Sequence, residues 1–452
     1  MGGWETLRVV YDKEKRQRYE EGYDVSSVPS LPLDIKNEWD MQEYMKVFDH
    51  LPLRKPYGYI ESNEFAPITK DFRRLIPLNP SIQSDYFYGA LLGRCVGCML
   101  GKPLELGPYF WESSLQKPGW KNVKRWFEGA DQYPIRDYVP SRSRASDEGL
   151  YVGYETCLRG NIRFVETDDD IRYTLLSLLL LEAKGKDFTP FDVGKLWHNH
   201  LPYQMVCTAE TQAYLNFAEM THHLSPELIP YTTGIQDYVR THHNPYREWI
   251  GAQIRVDGYA YAAAGNPLLA AELAFKDASF SHTKNGVYGA MFCAAMIASA
   301  FIEKDVERCI QQALLVIPQS SRLYDYIERT IAIVKRQQHL ESMVEEVWEF
   351  LLDFDPTHAI NNTCACVAAI LFSKGDFDVA VSTAVLFGLD TDCNGATVGS
   401  FMGALGGSGA IKVSWSAPLN DTILSMLPTF HPASIRHVAQ RFYTVYQELL
   451  KK

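Results

Sequence analysis

Positive charge is in short supply: 44 Lys and Arg stand against 55 Asp and Glu, a formal net charge of −11. Nucleic acids and anionic membrane surfaces need clustered basic residues to replace counterions, so neither is expected as a partner. Long apolar runs are missing as well. The longest, residues 290–302, is broken only by Ser299 and is too short to span a bilayer. The start, Met1-Gly2-Gly3-Trp4-Glu5-Thr6, has no basic stretch leading into an apolar one, so no secretory signal is expected and the cytoplasm is the expected location. The nine cysteines are odd in number and scattered, which excludes a dense disulfide framework. Cys95/Cys98 and Cys364/Cys366 sit in Gly/Ala/Val/Leu-rich stretches and read as small core residues rather than parts of a four-ligand zinc site.

What is present is a large, evenly apolar chain, 46% hydrophobic over 452 residues, enough to bury a sizeable core. Residues 1–84 differ in texture. They are rich in charge, aromatics and prolines, among them Pro29, Pro32, Pro52, Pro56, Pro67, Pro77 and Pro80, and read as an N-terminal extension with short helices at best. From Tyr86 small and apolar residues alternate, with Gly89, Gly93 and Gly97 at four-residue spacing, as on a helix that another helix approaches closely. Residues 107–166, with Trp111, Trp120, Trp126, Arg142 and Arg144, turn polar and aromatic again and read as an insertion rather than core. Helical periodicity is expected over 169–182, 268–275, 286–301, 306–316, 321–352, 362–372 and 377–387. Strand-like alternation is nearly absent, so the fold is expected to be all-α, with a domain over 85–452.

Two acidic clusters stand out. Thr167-Asp168-Asp169-Asp170 runs straight into the apolar sequence Ile171-Arg172-Tyr173-Thr174-Leu175-Leu176, which places carboxylates in a helix's first turn. Capping of unpaired amides alone explains most such clusters. Asp390-Thr391-Asp392-Cys393-Asn394 is different, because apolar sequence precedes it and the small-residue stretch 395–404 follows it. Carboxylates flanked by core-forming sequence repel one another unless a cation neutralises them, and Asp and Thr oxygens suit magnesium or manganese. A third element, Gly101-Lys102-Pro103-Leu104-Glu105, closes the Gly-rich helix.

The order of these elements, a Gly/Ala-rich helix ending in Glu, then Thr-Asp-Asp, then Asp-x-Asp-x-Asn before a second Gly-rich helix, resembles the ADP-ribosylglycohydrolase family. That family includes enzymes that remove ADP-ribose from arginine, from serine and from dinitrogenase reductase. Trp249-Ile250-Gly251-Ala252-Gln253-Ile254-Arg255, Ser281-His282 and Ala359-Ile360-Asn361-Asn362-Thr363 agree with it in order and spacing, so the resemblance covers about 85–450. It implies an orthogonal multi-helix bundle holding two divalent ions, Mg2+ or Mn2+, in a cleft. Thr167, Asp168 and Asp169 would supply ligands from one side, Asp390 and Asp392 from the other. Glu105 would act as base or ligand in turn, with Asp168 and Asp169 also counted in the catalytic set. Gly251, Gln253, Arg255 and His282 would lie against the substrate, ADP-ribose or a ribosylated protein or small molecule. The residues by themselves leave Arg255 open to pairing with Asp257 or Glu248, and His282 open to capping a helix that begins near Lys284.

Two positions depart from the family pattern. Cys393 stands where a Thr ligand is usual, and a thiol suits a hard ion poorly. Asp170 stands where many members have Thr and adds a carboxylate to the first cluster. Three functions follow: hydrolysis of the glycosidic bond to the ribose of an ADP-ribosyl group, hydrolysis of a smaller N-riboside such as a nucleoside, or a non-catalytic ADP-ribose-binding relative.

Overall fold

In the computed structural model the described residues are 5–32, 35, 38–69, 81–112, 114, 117–224 and 232–451. Residues 1–4, with Gly2 and Gly3, and residues 70–80, with Pro77 and Pro80, lie outside them. The fold is all-α, as the missing alternation implied; one short antiparallel pair, Thr422–Ile423 with Ala433–Ser434, is the sheet found among the described residues. No described helix is long and apolar enough to cross a membrane.

At the centre the helices Ser84–Gly101 and Thr391–Gly406 run antiparallel in close contact, and their glycines explain why. A Cβ on Gly97 would lie 1.8 Å from the Gly395 carbonyl oxygen, one on Gly93 2.1 Å from that of Gly399, and one on Gly403 2.0 Å from that of Gly89. Glycine every fourth residue on both helices removes the ridge that would hold the backbones apart. The register that results sets the C-terminal end of the first helix against the N-terminal end of the second, and Thr391 Oγ1 donates to the Gly101 carbonyl at 2.9 Å. Glu105 and Asp390, 285 positions apart in sequence by their numbers, are thereby brought to one place. The apolar run 290–302 is core: the helix Lys284–Ala300 is buried on all sides except at Lys284.

Three expectations need correction. The 321–352 stretch is two helices, Arg322–Arg336 and Leu340–Phe350, because the apolar faces Leu323/Ile327/Ile331/Val334 and Met343/Val344/Val347 bury into the same core only if the chain turns at Gln337-Gln338-His339. Residues 107–166 are not merely peripheral. Tyr109, Trp120, Val123, Trp126, Phe127 and Tyr138 are buried in the main core, and their bulk fills it without a long periodic helix to announce them. The N-terminal segment holds more than short helices: Leu7–Glu20 makes 14 residues of helix, capped by Thr6.

That N-terminal helix belongs to a small apolar cluster of its own, Val10, Tyr11, Val28, Leu31, Met41, Phe48 and Leu51. Buried ion pairs tie it to the bundle. Arg247 donates to both Glu14 oxygens at 2.7 and 3.0 Å and to Glu21 at 3.1 Å. Arg322 grips Glu248 at 2.7 and 2.9 Å and Glu61 at 2.7 Å, while Gln17 donates to Glu248 at 2.7 Å.

Candidate active site

Asp168 is the N-cap of the helix Asp169–Lys184, and its Oδ1 accepts from the Asp170 amide at 2.9 Å. The capping explanation therefore holds for this residue, but only for one of its oxygens. The other oxygen takes the ammonium of Lys102, which also donates to the Thr167 carbonyl at 2.7 Å. Burial pushes the Asp168 carboxyl up, and Lys102 outweighs it, holding the group at about 2. Thr167 Oγ1 donates to the Ser425 carbonyl at 3.0 Å and accepts from Arg172 at 2.8 Å. Asp169 is half-buried beside these groups; burial, then the charge of Asp168, push it up to about 7.

The facing wall is built differently. Asp390 precedes the helix Thr391–Gly406 without capping it, and its Oδ1 is buried with no hydrogen-bond partner. Asn362 positions it, accepting from the Asp390 amide at 3.2 Å and from Asn394 Nδ2 at 2.7 Å. Asp392 Oδ1 accepts from the Cys393 amide at 3.0 Å. Glu105, half-buried at the end of the Gly-rich helix, brings a carboxylate oxygen within 4.8 Å of oxygens from both Asp390 and Asp392. Burial, reinforced first by Asp392 and then by Asp390, pushes Glu105 well above the usual carboxylate range. Burial and neighbouring carboxylates likewise raise Asp390 and Asp392.

Like charges crowded in this way favour either protons or a bound cation. An orphaned buried oxygen on Asp390 and a trio of carboxylates with converging oxygens fit a hard divalent ion. Two other groups among the described residues converge as closely, Cys98–Asp168–Asp170 and Asp170–Asp392–Cys393, and each contains a thiol. The added carboxylate, Asp170, is fully buried. Arg94 takes its Oδ1 at 2.8 Å and its carbonyl at 2.9 Å, and also pairs with Asp257 at 2.9 Å, while Asp170 Oδ2 has no partner.

The 251–255 loop lies in a neighbouring buried cluster. Arg255 bonds Asp277 at 2.7 Å and Glu210 at 2.5 Å, so its partners are neither Asp257 nor Glu248. A Cβ on Gly251 would lie 2.1 Å from the Glu210 carboxylate, which is why this position is glycine. Gln253 accepts from Thr363 Oγ1 at 2.7 Å, and His282 Nδ1 lies 2.8 Å from Ser281 Oγ. The helix Lys284–Ala300 has Thr283, not His282, at its N-cap. Burial, then Arg255, hold His282 well below its ordinary value, so the ring is neutral. Gln253, Arg255 and His282 are 0%, 1% and 0% exposed. Their side chains are enclosed, and Asp277 and Glu210 accept from the Arg255 guanidinium.

Sequence reasoning named Lys102 and Asn362 only as parts of motifs and gave no role to Arg94, Glu210 or Asp277. A charged residue in an otherwise apolar helix, as Arg94 is, signals a buried ion pair. Tyr154 was also missed. It is exposed, adopts φ +48°, and lays its ring 4.8 Å from Lys102 Nζ at the edge of the acid cluster.

A family model described as ADP-ribosylglycohydrolase matches residues 79–449. A solved structure described as an ADP-ribosylglycohydrolase-related protein complex is similar at 20% identity over 80% of this chain and 98% of that one, with a TM-score of 0.47. No curated protein matches the chain.

Proposed function

The chain belongs to the ADP-ribosylglycohydrolase family, and from that premise we propose that it is a divalent-metal-dependent hydrolase that cleaves the glycosidic bond to the ribose of an ADP-ribosyl group carried by a protein side chain or a small acceptor. The observation that carries this reading is the carboxylate trio Glu105–Asp390–Asp392 with its orphaned Asp390 oxygen. Glycosidic cleavage builds positive charge on the sugar while the leaving group must gain a proton. Glu105, Asp390 and Asp392 would hold an Mg2+ or Mn2+ ion, which when bound supplies a grip on ribose hydroxyls and an acidified water.

The remaining work falls to side chains. Glu105, half-buried beside Asp390 and Asp392, exchanges a proton with water or the leaving group. Asp169, poised at about 7, is a second proton carrier on the opposite wall. Asp168, kept ionised by Lys102, holds that ammonium beside the Thr167 carbonyl. Chelation tests the reading: removal of Mg2+ and Mn2+ is expected to abolish release of ADP-ribose from ADP-ribosylated arginine or serine peptides, and unchanged release refutes it.

One observation favours a smaller N-riboside as substrate. Arg255 is spent on Glu210 and Asp277 and offers no cationic grip for a diphosphate. Thermal-shift titration separates the substrates, because an ADP-ribose binder gains stability with ADP-ribose by mass action whereas a nucleoside specialist gains it with nucleosides.

A further inference from the structure

Resting on that reading of the acidic cleft, we propose that the site takes one divalent ion rather than two, because the ammonium of Lys102 stands in for the second. Lys102 Nζ bonds Asp168 Oδ2 and the Thr167 carbonyl and lies 4.8 Å from the Tyr154 ring centroid. Asp168 and Thr167 belong to the cluster from which the sequence motif would draw an ion's ligands. Thr167 Oγ1 is committed as well, bonded to Arg172 and to the Ser425 carbonyl. The Asp168 carboxylate is therefore already paired by the chain's own ammonium.

The donor chemistry agrees. Of the three groups that converge within 4.8 Å among the described residues, only Glu105–Asp390–Asp392 is made wholly of oxygens. The other two depend on Cys98 or Cys393, poor ligands for a hard ion, and on Asp168 or Asp170, which Lys102 and Arg94 hold. Lys102 is 6% exposed and paired in a low-dielectric pocket, so it keeps its charge and repels a dication beside it. The mobile part of the site is then the ion at Glu105, Asp390 and Asp392, while the Thr167–Asp168 side carries a permanent, covalently attached cation.

Manganese binding to the full chain tests this by calorimetric stoichiometry and by electron paramagnetic resonance. The wild type is expected to bind one Mn2+ per chain with the six-line spectrum of an isolated ion. Lys102→Met is expected to bind two and to show the exchange-coupled spectrum of a pair. Two ions in the wild type overturn the proposal and leave the metal-dependent reading standing. One ion in Lys102→Met shows that the lysine is not what excludes the second and overturns it too. If Lys102→Met does not fold, the wild-type stoichiometry and spectrum decide alone. No binding to either protein refutes the metal reading itself.

Discussion

Two clusters of buried charge lie in this molecule, and they are balanced in opposite ways. Where the N-terminal helix meets the bundle, Glu14, Glu21, Glu61 and Glu248 face Arg247, Arg322 and Lys284, and most of their oxygens and guanidinium nitrogens meet within hydrogen-bond distance. In the acidic cluster, Glu105, Asp168, Asp169, Asp390 and Asp392 have Lys102 as their one ion-pair partner among the described residues, and an Asp390 oxygen stays unpaired. Both regions incur the cost of desolvating charge. The first recovers it within the chain and so fastens one segment to another. The second leaves charge unmet, which raises Glu105, Asp169, Asp390 and Asp392 toward protonation and suits them to a cation.

Removing a cation should hurt the balanced region most. Arg322→Met leaves Glu248 and Glu61 buried and uncompensated and is expected to lower stability by about 3–5 kcal/mol, read by denaturant unfolding. Stability within 1 kcal/mol of wild type, a margin set against that range, would show that the network does not fasten the N-terminal helix. In the cleft the same kind of change should act in reverse. Asp392→Asn relieves repulsion, so melting of the metal-free protein should hold or rise while turnover falls by at least about a hundredfold, the upper effect of losing a supporting group around a metal. A drop in metal-free stability would mean that Asp392 is structural.

Ligand linkage should separate the regions next. Manganese at about 100 times its Kd should add about 2.7 kcal/mol to the wild type and little to Asp392→Asn. The two regions should also differ in pH dependence. Asp169 is raised to about 7 in the folded chain from an ordinary value of 3.8, so the native state binds more protons than the unfolded one between those values. Stability of the metal-free protein should therefore fall as pH rises from about 4 to 7, and manganese should flatten that slope. Glu21 has the opposite sign. Burial alone would raise it, but Arg247 and Lys284 outweigh burial and hold it at about 2. Its contribution is present above the ordinary carboxylate value and is lost only as pH falls from there toward 2, so the balanced cluster should not weaken across the window in which the cleft does.

Much of the cleft was legible because its chemistry is written in short segments. Thr167-Asp168-Asp169 and Asp390-Thr391-Asp392 each adjoin apolar helical sequence, and Gly89, Gly93 and Gly97 advertise a close helix contact before any partner is known. The roles of Gln253, Arg255 and His282 were less legible. A guanidinium is equally suited to a diphosphate and to two carboxylates, and only the position of Glu210 and Asp277 shows which it meets. The aromatic stretch 107–166 misled for another reason: Trp120, Trp126 and Phe127 can fill a core from one short helix, without the long periodicity by which core helices are recognised.

By itself the sequence determined the helical class, the glycine seam and the two acidic helix starts, because each depends on neighbours within a few turns of chain. Which charges meet was decided by tertiary structure alone. Lys102 reaches Asp168, Arg94 reaches Asp170 and Asp257, and Arg247 reaches Glu14 across more than two hundred residues. Coulomb energy follows distance through space and the local dielectric, and neither is encoded in the spacing of residues along a helix.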